Sequence, residues 1–164
     1  MLALLNWFRP SHHGWTKLTT LEGVTVLFPS NTFRKSSQAN SPLGMMDVAL
    51  YTGHLEKSNF SIILSIRDFV PGNDAKPEDY FQAWKDEFSQ TMESYQIQKL
   101  LVTERHHPGD APRCELLFTN ADQSAFTRVT LISQFNRLVI LFAVGMLQEV
   151  SGPACGECFR SIRL

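Results

Sequence analysis

The heptapeptide Leu138-Val139-Ile140-Leu141-Phe142-Ala143-Val144 contains no polar residue. An extended chain turns successive side chains to opposite faces, so this run puts apolar groups on both sides of any sheet that holds it and demands cover on both. Upstream, Val129, Leu131 and Phe135 fall on one side of a second run, with Arg128, Thr130 and Gln134 on the other, and Asn136-Arg137 makes a tight connection between the two. Adjacent strands joined so closely run antiparallel, since a parallel crossover needs a dozen residues or more. The apolar stretch from Leu138 to Leu147 is far short of the roughly twenty residues that span a bilayer.

The cover must come from elsewhere in the chain. Pro77 followed by Glu78 and Asp79 has the first-turn proline and acidic residues of a helix start. Tyr80, Phe81, Trp84, Phe88, Met92 and Tyr95 then recur at spacings of three and four, which predicts a helix over about Pro77–Ser94 with an aromatic stripe toward a sheet. That stripe is a core face or a groove for a ligand or partner. A second helix is expected after Ser151-Gly152-Pro153, where Ala154, Cys155, Cys158, Phe159 and Ile162 share one stripe. It supplies the other face.

Other strands are read from alternation. In Phe60-Ser61-Ile62-Ile63-Leu64-Ser65-Ile66-Arg67, Phe60, Ile62, Leu64 and Ile66 face one way and Ser61, Ser65 and Arg67 the other. Met46, Val48 and Leu50 alternate with Asp47, Ala49 and Tyr51, and the two segments read as a hairpin with one buried face. Val24 to Phe28 is a short strand stopped at Pro29, Ile97 to Glu104 and Cys114 to Phe118 are two more, and Ser36 to Gly44 reads as a loop. Residues 1–20 read as an irregular N-terminal segment. The expectation is a single α+β domain over residues 1–164, a mostly antiparallel sheet of about six or seven strands sandwiched between helices.

Composition narrows function. The 164 residues carry 15 Lys plus Arg against 16 Asp plus Glu, a formal charge of −1, which gives no field to gather nucleic acid. The N-terminal apolar stretch breaks after about seven residues with no basic residue before it, unlike a secretory signal. Three cysteines, Cys114, Cys155 and Cys158, do not look like a secreted disulfide framework. A cytoplasmic location with no membrane span is expected.

Chemical signatures are sparse. Cys155-Gly156-Glu157-Cys158 is a CxxC, which suggests thiol redox or zinc chemistry, but no second CxxC accompanies it and both sulfurs fall on the apolar helical stripe. The other reading is two small core residues. His12-His13 and His106-His107 are adjacent pairs, poor chelates in extended chain, although His106-His107 with Asp110 and Cys114 could form a small loop site. No nucleotide-binding, hydrolase-elbow or metalloprotease motif is present, so no catalytic residue and no cofactor is nominated. Trp7, Phe8 and Trp15, near Arg9 and Lys17, are candidate partner contacts, exposed Trp beside a cation being a frequent anchor.

Taken together, the strand closing on Phe28-Pro29, the hairpin, the acid-started helix with Tyr80 and Trp84, the Pro108-Gly109 turn before Arg113–Phe118, Arg137-Leu138-Val139 and the ending Phe159-Arg160-Ser161-Ile162-Arg163-Leu164 resemble the PsbP/DcrB-like α/β sandwich superfamily. The resemblance implies a fold used mainly for non-enzymatic binding and carries no catalytic residues with it. The expected function is therefore a protein-interaction module or chaperone-like adaptor, with homodimerisation open. The alternatives are a thiol or metal protein using Cys155 and Cys158, or a small-ligand binder with a pocket between the aromatic helix and the sheet.

Overall fold

A computed structural model describes residues 14–55, 58–70, 75–94, 98–105, 111–120 and 122–164. Strand β9 (Arg137–Gly145) holds the apolar run and lies inside the sheet, between β5 (Ser61–Phe69) and β8 (Phe126–Gln134). Beyond β8 come β7 (Arg113–Thr119) and β6 (Gln98–Arg105); beyond β5 come β4 (Gly44–His54) and β3 (Thr32–Ser41). The seven strands run β3-β4-β5-β9-β8-β7-β6, every pairing antiparallel.

The demand for cover on both faces is met. Leu138 and Ile140 of β9 join Val129, Leu131, Leu116 and Cys114 beneath helix α1 (Pro77–Ser94), whose Tyr80, Phe81 and Trp84 are buried there. Val139, Leu141 and Ala143 point the other way, into a core shared with Ile62, Leu64 and Ile66 of β5 and with Cys155, Cys158 and Phe159 of helix α3 (Pro153–Ser161), which follows a short helix α2 (Leu147–Val150). Helix α3 shares that face with a two-stranded ribbon, β1 (Trp15–Thr19) and β2 (Thr25–Pro29), whose Val26 and Phe28 are fully buried.

Three expectations are corrected. Residues 15–19 are not irregular: they form β1, paired antiparallel with β2. The second strand of that pair, expected in the main sheet, lies instead on its α3 face. The stretch from Ser36 to Gly44, expected as a loop, is mostly β3, paired along its length with β4 and turned by Gly44 at φ +110°. β3 is an edge strand with exposed side chains, so it lacks the burial contrast that makes a strand legible. The ribbon is tied down at its turn by Arg137, which makes a bidentate pair with Asp68 at 2.5 and 2.9 Å and donates from Nη1 to the Glu22 carbonyl at 2.6 Å.

Candidate binding groove

The two faces are covered unequally. Strands are spaced about 4.8 Å apart and a helix is about 10 Å across, so one helix covers roughly two strands. Helix α1 starts over β5, where Tyr80 stacks on Phe69 with ring centroids 4.0 Å apart, and reaches β7, where Phe88 meets Phe118 at 5.3 Å. Phe69 and Phe118 belong to opposite ends of the sheet: Phe118 is linked through Thr127 and Val144 to Ser61, at the far end of β5. The helix therefore crosses obliquely and leaves a wedge beside it over β4 and β5. That wedge is a groove of about 730 Å³, bounded at one end by the buried Phe69, Met46 and Tyr80 and by the β3-β4 hairpin at residues 40–43.

Its floor is mixed. Met46, Val48 and Leu50 come from β4, Ser65 and Arg67 from β5; Trp84 stands on the helix side, with Asp86, Glu87 and Gln90 exposed above, and Ser37, Asn40 and Ser41 form the β3 rim. Val48 and Leu50 remain half-buried, whereas Ala49 and Tyr51, on the other face of the same strand, are buried at 5% and 4% exposure. The expected apolar face of this hairpin strand is thus the groove lining, and the deep core takes the alternate set. Cross-strand pairing places Val48 beside Arg67 and Arg67 beside Leu138.

Arg67 is half-buried, and its Nε lies 3.5 Å from Ser65 Oγ. Burial lowers its pKa from the ordinary arginine value, partly offset by the field of Glu87. By contrast, Arg34, Arg113, Arg128 and Arg137 each have a carboxylate, from Glu22, Glu115, Glu115 and Asp68 respectively. The polar face of β5 was legible as alternation, and a pocket between the aromatic helix and the sheet was among the readings; its place over β4 and β5 was not, because the path of the helix decides which strands stay uncovered.

The residues singled out in the sequence lie elsewhere. Trp15 is half-buried on the α3 face, tilted against Phe60 at 6.1 Å, and lines a second cavity of about 620 Å³ with Leu55, Pro153 and Cys155. Trp7, Phe8, His12, His13, His106, His107 and Asp110 lie outside the described residues. Cys155 and Cys158 are buried at 1% and 0% exposure; Cys114 is buried on the opposite face of the sheet, beneath α1. Burial pushes the Cys155 thiol up to about 11 against the lowering effect of Arg128, and burial next to Cys155 pushes Cys158 up as well. A thiolate is the nucleophile and the metal ligand, so both shifts disfavour the thiol chemistry that the CxxC spacing suggests. Among the described residues no three His, Cys, Asp or Glu side chains gather to hold a metal, and no helix is long and apolar enough to cross a membrane.

The sheet order and the helices on its two faces make an α+β sandwich of PsbP-like fold. The solution structure of cyanobacterial PsbP (CyanoP) from Synechocystis sp. PCC 6803 matches it with a TM-score of 0.62 over 98% of this chain and 98% of that one, at 10% sequence identity. At that identity the likeness is one of fold. No family model and no curated protein matches the sequence.

Proposed function

We propose that this protein is a non-enzymatic interaction module, acting as a chaperone-like adaptor that holds an apolar segment of a partner protein in the groove beside α1. One observation carries the reading: a seven-stranded sheet with a single described helix on this face, which leaves Val48 and Leu50 half-buried over β4. Apolar surface left beside a packed element is what partner recognition uses. The reading accords with the non-enzymatic binding roles implied by the sequence resemblance, and the buried thiols do not compete with it.

The test is capture of partners from extract of the native host. Leu50→Lys puts a charge on the groove floor and should abolish recovery of a protein that the unmodified chain retains. Arg160→Glu, exposed on α3 over the opposite face of the sheet, should leave recovery unchanged. Equal recovery by Leu50→Lys, with an unaltered melting curve, would refute the groove as the contact.

A further inference from the structure

We propose that the groove receives the C-terminal tail of its partner, apolar in its last residues, with the terminal carboxylate paired to the Arg67 guanidinium. This rests on the groove being the contact surface and adds what it recognises. Three observations lead there.

First, Arg67 has no ion pair among the described residues, whereas the other half-buried arginines, Arg113, Arg128 and Arg137, all have one. Its 3.5 Å contact with Ser65 Oγ is a weak one, so the fork of N–H donors that matches a carboxylate is left largely unused. A guanidinium among Val48, Leu138 and Trp84 is costly to desolvate without a counter-ion, and a ligand carboxylate would be that counter-ion.

Second, Arg67 stands one cross-strand row from the bounded end. Arg67 pairs with Val48, and the next row toward that end is Phe69 with Met46, packed under Tyr80. An acidic side chain within a continuing chain would have to turn out of the groove, since Phe69, Met46 and Tyr80 beyond it are 5%, 8% and 2% exposed, and pass over the hairpin at residues 40–43. A chain that ends there needs no exit. The wedge widens away from this end, so the tail would enter from the side of Leu50 and Ser65.

Third, the rim has the opposite sign from the floor. Asp86 and Glu87 are exposed on α1 above the groove, which favours a tail with a lysine or arginine shortly before its apolar end. The field of Glu87, which reaches Arg67, works against a carboxylate seated there, and the direct pair with the guanidinium has to outweigh it.

The experiment selects binders to the purified full-length chain from random octapeptides displayed with free C termini. The enriched sequences are then made as acid and as amide and measured by calorimetry. The expected result is enrichment of apolar C-terminal residues, with amidation and Arg67→Gln each weakening binding about tenfold or more, the scale of a desolvated charge-assisted pair. The two losses should not add, because both remove the same contact. If Arg67→Gln lowers the melting temperature, Arg67→Lys, which keeps the charge, must keep a preference for acid over amide. Peptides that bind equally well as acid and amide would overturn the role of Arg67 and leave the groove reading standing. No enrichment, alongside groove-dependent capture of a partner from extract, would overturn the tail and spare the proposed function; failure of both experiments would overturn both.

Discussion

Tyr51 shows how a single side chain ties the ribbon turn to the sheet edge. Its ring is 4% exposed, its hydroxyl donates to Glu22 Oε2 at 2.7 Å, and it accepts from Arg34 Nε at 3.0 Å and from the Leu21 amide at 3.2 Å. Burial alone would raise the Glu22 pKa, but the hydrogen bonds from Arg34 and Tyr51 outweigh it and hold the carboxyl below its ordinary value. A group whose native pKa is depressed stabilises the fold fully above its unfolded pKa and loses that contribution as pH falls through the native one. Stability should therefore decline on acidification below the ordinary glutamate value of about 4.3, and Glu22→Gln should flatten this acid limb. Tyr51→Phe should cost about 0.5–1.5 kcal/mol, the net worth of a hydrogen bond whose partners water can still reach. Urea midpoints measured across the acid range decide this; an acid limb unchanged in Glu22→Gln would assign it to other carboxylates. None of this network was legible in the sequence, because Glu22, Arg34 and Tyr51 meet only after β1-β2 folds back over β4.

Elements were legible in proportion to their burial contrast. Helix α1 was read at Pro77–Ser94 and is found there, because six aromatic or apolar residues at helical spacing admit one face. The face assignment of β5 also held, with Ile62, Leu64 and Ile66 in the α3 core. β1 and β3 were missed for a shared reason: each pairs on one side only, and their polar, exposed side chains give no period of two. The partner strand supplies their geometry, and Gly44 at φ +110° was the one local hint of a hairpin. The ribbon's placement rests on Gly53 of β4, where an added Cβ would lie 2.8 Å from Phe28 Cε1 and 2.9 Å from Pro29 Cγ. Phe28 is fully buried and has no room to withdraw, so Gly53→Ala should destabilise by about 1–3 kcal/mol, as overpacking does. Gly156, inside α3, is the control: its Cβ would meet only side-chain ends, Arg160 Nη1 being nearest at 3.3 Å. There alanine should be neutral or gain up to about 1 kcal/mol from helix propensity. Thermal melts of the two variants separate these outcomes, and equal losses would contradict the ribbon packing.

At the scale of the molecule, the apolar run of β9 required two covered faces, and the two are covered to different extents. On the α3 face a helix and a ribbon share the work; on the α1 face one described helix lies obliquely and leaves the wedge over β4 and β5. An arginine on the floor of such a wedge weakens the fold, because desolvation of the guanidinium is only partly offset by the field of the exposed Glu87, whereas an unbranched apolar side chain would pack on Val48 and Leu138 with no such cost. If Arg67 is kept for binding, stability and recognition must pull in opposite directions at this position, the trade-off typical of functional sites. Arg67→Met should therefore raise the melting temperature, by a stabilisation on the order of 1 kcal/mol, while abolishing the preference for a free carboxylate. The structural alternative, in which Arg67 supports the fold through Ser65 and the field of Glu87, makes the reverse prediction: Arg67→Met would melt earlier than the unmodified chain. Differential scanning calorimetry at neutral pH distinguishes the two, and a lower melting temperature would remove the argument that this arginine is retained for a ligand.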